Sequence, residues 1–291
     1  MTRRTHRQAR RYLLAGMAGL ALMITSGGCT PSPGSSDEDL AKLPRDSKAK
    51  ALLDTEHSRV SLPITEFRMS RQLGAKFFTA TELMIRPCLA QAGYPIQVPA
   101  AVVSGEDRIW GLWDLERARK YGYNVPEPPE LAFEEPTSPE YEKTRTQCWK
   151  SSNTDREQLI GDAPDDLKSL ASSIEGKAAS AAKTTDEFKN LHTQYGECLK
   201  NKGYQAAPDA FIISDGSVPA SDGGDATPEE VRAAVAEAEC NQTLQVTQKM
   251  GDLEASFQAP MIEEHRAALN QEKEKLQAFE RRVDEYLRSH Q

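Results

Sequence analysis

Cysteine is the residue in this chain with the most chemistry to offer. There are five: Cys29, Cys88, Cys148, Cys198 and Cys240. A thiol can act as a nucleophile, carry a lipid, ligate a metal or close a disulfide, and spacing separates these options. No pair forms Cys-x-x-Cys, so neither dithiol redox chemistry nor a zinc ribbon is expected. The histidines after residue 28, His57, His192, His265 and His290, are scattered, and none pairs with another at metal-ligand spacing. There is no Gly-x-Ser-x-Gly, no phosphate-cradling loop and no dinucleotide fingerprint. The sequence therefore nominates no catalytic residue, no metal and no cofactor. Carboxylates are abundant, and a glycosidase pair needs no proximity in sequence, so a hydrolase with an unrecognised carboxylate site stays open as an alternative.

Two of the cysteines open the same heptapeptide. Residues 88–94 read CLAQAGY and residues 198–204 read CLKNKGY, with Phe78 and Phe188 each ten positions before the cysteine. Each copy continues through a proline (Pro99, Pro208) to a helix opener, Ser138-Pro139-Glu140 or Thr227-Pro228-Glu229, and then to a second cysteine, Cys148 or Cys240. Ser or Thr caps free N–H groups, Pro fits the first helical position, and acids suit the positive helix end. The unit reads as a helix carrying Cys-Leu, a glycine stop, a loop and a capped helix carrying Cys. The ordered recurrence points to an internal duplication.

The fifth cysteine belongs to the N-terminus. Arg3, Arg4, Arg7, Arg10 and Arg11 precede an apolar run over residues 12–25, then Ser26-Gly27-Gly28-Cys29. This is the pattern of an export signal, too short for a comfortable membrane span. Its small residues ending on cysteine resemble the lipobox of bacterial lipoproteins. That resemblance implies cleavage before Cys29 and a diacylglycerol on its thiol. Arg10-Arg11 followed by Leu13-Leu14 also resembles a twin-arginine signal, and the sequence leaves the two export routes open. Four cysteines then remain in an exported chain, an even number that reads as a disulfide framework with three possible connectivities. A duplicated unit with two cysteines most simply closes on itself, which predicts Cys88–Cys148 and Cys198–Cys240.

The chain holds 44 acidic residues and 36 Lys plus Arg. Residues 1–28 contain five of those arginines and no acid, so the chain from Cys29 onward carries a formal charge of −13. Such a surface repels nucleic acid and anionic headgroups, and nucleic acid is not expected as a partner. Only 38% of residues are hydrophobic, which implies a modest core and solvated loops. Residues 30–39, TPSPGSSDED, read as part of a flexible tether.

The elements that must position these residues are mostly helical. Thr184 with Glu187 forms a capping-box pattern, and Phe188, Leu191, Tyr195, Cys198 and Leu199 make one stripe ended by Gly203. In the first copy the stripe is Phe78, Met84, Ile85, Cys88 and Leu89, with Pro87 expected to kink it. Residues 164–182 predict another helix with Leu167, Leu170 and Ile174 inward. Residues 59–64 are the best strand candidate. Pro260 is expected to interrupt the helix that follows Thr227. Beyond it Ile262, Leu269, Leu276 and Val283 recur every seven residues, the mark of a helix laid along another. The complementary positions His265, Arg266, Glu272 and Lys273 are too polar for an autonomous coil. This predicts a hairpin folding back on Val231, Val235, Leu244, Leu253 and Phe257, and a monomer. The alternative is docking on a partner or second copy through Leu276, Phe279, Val283 and Leu287.

Residues 109–129 carry Trp110, Trp113, Tyr121 and Tyr123, aromatic binding candidates or core, with the two tryptophans expected on one helix face. Together with the lipobox-like cysteine, CLKNKGY and its first copy, RKYGY over residues 119–123 and the Thr-Pro-Glu helix resemble a group of uncharacterised actinobacterial secreted lipoproteins, over most of residues 76–250. The resemblance implies compartment and fold, and no activity.

The expected fold class is mainly α: two disulfide-containing helical repeats with irregular loops and a long C-terminal helical hairpin or coiled-coil-like arm. The expected organisation is a signal at 1–28, a tether at 29–45, repeats at 46–160 and 161–258, and the arm at 259–291. The expected function is a non-catalytic binding or adaptor protein, lipid-anchored on the extracytoplasmic face of the bacterial cell membrane, with an envelope protein or cell-wall glycan as partner. A solute-binding accessory of a transporter is a further alternative.

Overall fold

A computed structural model describes residues 37–98, 100–103, 105–125, 136–214 and 226–290. The fold is mainly helical and carries two disulfides, as the sequence predicts. In chain order come α1 (Asp37–Leu40), the antiparallel strands β1 (Leu52–Asp54) and β2 (Arg59–Ser61), and a 3₁₀ turn at Pro63–Phe67. There follow α2 (Arg71–Gln91), α3 (Leu115–Tyr121), α4 (Pro139–Ser151), α5 (Asn153–Ile160) and α6 (Leu170–Thr184). The last three are α7 (Asp186–Asn201), α8 (Pro228–Leu244) and α9 (Val246–His290).

Helix α9 is the spine. Its 45 residues rise over about 68 Å at ~1.5 Å each. Near its start Val246, Met250, Leu253, Phe257, Met261, Ile262 and Leu269 join the main core. There they meet α6, whose small buried residues Ala171, Ala178, Ala181 and Ala182 permit close approach. Near its end Phe279, Val283 and Leu287 form a second cluster with Leu73, Ala80 and Leu83 of α2 and Leu159 of α5. Phe77 meets Phe279 edge-on at 5.2 Å.

This corrects the expected hairpin. Pro260 lies inside a continuous α9. A proline at this position leaves the carbonyl four residues earlier without its helical donor, and Asp46 N–H fills that place on Ser256 O at 2.8 Å. The chain breaks instead at Gln245, in the left-handed conformation (φ 55°, ψ 41°). There Asn241 Oδ1 accepts from Thr247 N (3.1 Å) and Thr247 Oγ1 (3.0 Å), and Asn241 Nδ2 donates to Trp110 O. Leu253 and Phe257 therefore share a helix with the arm meant to fold onto them. Leu276 is half-buried, whereas Phe279, Val283 and Leu287 pack within the chain. The polar positions are used: Glu272 accepts from the backbone N–H groups of Leu170 and Ala171 at the start of α6, and Lys273 pairs with Glu66 over the Phe67 ring.

Other expectations shift locally. Helix α2 runs through Pro87, with Ile85 and Leu89 buried on either side. Phe78 is 46% exposed, and its neighbour Phe77 packs inward instead. Thr185 rather than Thr184 caps α7, accepting from Phe188 N at 3.2 Å. Leu167 is exposed, because α6 begins only after its cap Ser169. Leu40 of α1 is buried in the main core, so the folded body begins inside the segment expected to be a tether.

Candidate functional site

The aromatic segment is built into the core. Trp110 and Trp113 lie in the turn before α3, 6% and 8% exposed, rather than on a helix. Gly111 between them has φ +80°, and a Cβ there would sit 1.9 Å from Phe211 O, so only glycine fits this contact. Trp113 Nε1 donates to Asp107 O at 2.7 Å, and Gln242 Nε2 donates to Trp113 O. Tyr123 is half-buried with its hydroxyl on Glu237, and Tyr121 is covered in part by Arg117 and Lys120. Both indoles are therefore closed to a ligand.

Two buried carboxylates hold this region. Glu237 accepts from Leu112 N (2.8 Å), Ile213 N (3.0 Å) and Tyr123 Oη (3.0 Å). Burial pushes its carboxyl up, and these donors pull it back. The same burial, with the Glu237 carboxylate beside it, raises Tyr123 well above an ordinary phenol. Glu254 accepts from Trp110 Nε1 at 3.1 Å. Burial lifts it to about 7, with Glu175 adding to the rise and Trp110 and Lys183 opposing it. A carboxyl poised near neutrality suits a general acid, but Trp110 covers this one and Glu254 is 5% exposed. Sequence reading missed both groups, since nothing local marks one glutamate among many as buried.

An open groove lies at the other face of α9. Its cavity of ≈ 370 Å³ is lined by Arg45, Ser47 and Lys50 from the N-terminal stretch, Glu187, Asn190, Leu191 and Gln194 from α7, and Lys249, Met250, Asp252, Leu253 and Ser256 from α9. Arg45 pairs with Glu187 at 2.8 Å and Lys50 with Asp252 at 3.0 Å. The Arg45 guanidinium holds the Glu187 carboxyl below its ordinary range. Leu191, Met250 and Leu253 form a buried floor. Ser47, Asn190, Gln194 and Lys249 are exposed, with no side-chain partner among the described residues. The one sequence signal for this site is the 4-residue spacing of Asn190 and Gln194 on a face otherwise amphipathic.

The disulfides sit where the duplication places them. Cys88 bonds to Cys148 and Cys198 to Cys240, with Cα separations of 5.6 and 5.9 Å. Among the described residues no group of three metal-ligating side chains occurs, and no helix is long and apolar enough to cross a membrane. Cys29 and residues 1–28 lie outside the described residues. No family model, curated protein or solved structure matches this chain.

Proposed function

We propose that the protein is a lipid-anchored, extracytoplasmic binding or adaptor protein of the bacterial cell envelope, tethered through Cys29. The groove carries this reading. Its unpaired donors and acceptors face solvent, whereas the buried aromatics and carboxylates are committed to internal contacts. Binding also accounts for its charges better than proton transfer does. A glycosidase acid needs a raised pKa, and the Arg45 guanidinium drives Glu187 the opposite way. Two disulfides favour an oxidising compartment. The resemblance to actinobacterial lipoproteins agrees with that placement.

Palmitate labelling with membrane fractionation tests the anchor. Wild type should be labelled and membrane-bound, and Cys29→Ala should lose both properties. Unchanged fractionation of the variant would refute a lipid anchor.

A further inference from the structure

We propose that the groove between α7 and α9 binds an extended, acidic peptide segment, supplied by the membrane-proximal part of an integral envelope protein. The membrane-proximal source rests on the lipid-anchor reading; the peptide chemistry does not.

The chemistry follows from which polar groups the groove leaves free. A phosphodiester or sulfate offers acceptors only, and would leave the amide oxygens of Asn190 and Gln194 in the lining without a donor. A polypeptide in extended form presents N–H and C=O groups alternately along its edge. Asn190 and Gln194 each carry both a donor and an acceptor, one helical turn apart on α7. They can therefore engage both kinds of main-chain group. The Arg45–Glu187 and Lys50–Asp252 pairs already balance each other, which leaves Lys249 as the groove's surplus charge. In a chain whose formal charge is −8, this locally positive site selects a negatively charged side chain. The volume falls in the range of small-ligand pockets, which suits a few residues rather than a docked helix.

The source follows from where the groove lies. Arg45, Ser47 and Lys50 belong to the first folded stretch after Cys29, and Leu40 just before them is fixed in the main core. Residues 30–36 span at most about 25 Å even when fully extended. A body anchored at Cys29 thus keeps this end beside the bilayer, where juxtamembrane segments are concentrated.

Two measurements test the proposal. Fluorescence anisotropy on the purified protein would use a labelled, blocked hexapeptide alternating Glu and Thr, and its Lys-for-Glu counterpart. The acidic peptide should bind at least about tenfold tighter, a difference of ~1.4 kcal/mol. Lys249→Glu should abolish that preference, and Lys143→Glu, the same charge change on α4, should leave it intact. Equal affinities, no saturable binding, or loss of preference in both variants would overturn the peptide site. A photo-crosslinker at Gln194 in intact cells should then yield adducts mapping beside a transmembrane span. Adducts confined to glycan, lipid or soluble proteins would overturn the membrane-proximal source. Failure of palmitate labelling with the peptide preference retained would remove the anchor alone.

Discussion

The two repeats share a frame and differ in what they bury. In both, the first helix ends on a glycine at positive φ, +88° at Gly93 and +86° at Gly203. In both, the following tyrosine N–H reaches back to the leucine after the cysteine, Tyr94 to Leu89 at 2.8 Å and Tyr204 to Leu199 at 3.0 Å. Ser138 and Thr227 cap the second helices alike, each accepting at 3.1 Å from the N–H three residues on. The polar groups at matching positions then diverge. Six residues before the first cysteine stand Glu82 and His192; three before the second stand Arg145 and Glu237. Glu82 and Arg145 pair with each other at 2.6 Å and close the first repeat on itself. Glu237 instead reaches Leu112, Tyr123 and Ile213, while His192 Nε2 contacts the carbonyls of Ala207 and Ala210. The bulky ring also changes helix. Tyr141 on α4 accompanies Ile85 in one cluster, whereas Tyr195 on α7 accompanies Ala233 in the main core. Duplication thus copies caps, stops and disulfides, and the buried polar set decides whether a repeat is self-contained or recruits its neighbours.

Removing these polar groups should expose the difference most strongly. Glu237→Ala leaves two backbone donors and a phenol without their acceptor, and should cost about 5 kcal/mol in urea denaturation. Hydrogen exchange should accelerate at the Leu112 and Ile213 amides. Arg145→Ala strands the buried Glu82 carboxylate and should cost about 3 kcal/mol, without accelerating those two amides. Equal acceleration in both variants would break the distinction between the repeats.

Helices α2 and α5 of the first repeat meet the end of the spine in one small cluster. Phe279→Ala should therefore cost about 4 kcal/mol by cavity formation. Hydrogen exchange should rise in α2 and α5 before α7 and α8. Sedimentation should give a monomer for both wild type and variant. A wild-type dimer that the substitution converts to a folded monomer would return these side chains to an intermolecular role.

The second repeat's surroundings should also respond to pH. Glu254 stands at about 7 in the fold against an ordinary value of 4.5, so folding favours its protonated form. Its full stability is present below the unfolded value, falls as pH rises toward 7, and levels off above it. Glu254→Gln should flatten that fall and raise stability at pH 8 by about 2–3 kcal/mol. The smallest expected effect tests the shared frame. Gly93→Ala and Gly203→Ala meet open space at their Cβ positions, so each should cost about 1 kcal/mol from positive φ alone, and equally.

Signals acting within a few residues were legible in the sequence by itself. The Ser138 and Thr227 caps, the stops at Gly93 and Gly203, and the stripe of Phe188, Leu191, Tyr195 and Leu199 depend on helical spacing and local backbone geometry. The disulfide partners followed from duplication, since each repeat carries its own pair. Tertiary structure alone decided the rest. Pro260 does not end α9 because Asp46, distant in sequence, supplies the donor that Ser256 O lacks. Gln245 ends α8 with neither glycine nor proline, held by Asn241 and Trp110. Trp110 and Trp113 became core, and Glu237 became the hub beneath them, through partners more than a hundred residues away. Burial is set by what packs on a residue, and in a chain this rich in carboxylates no local pattern marks which one will be covered.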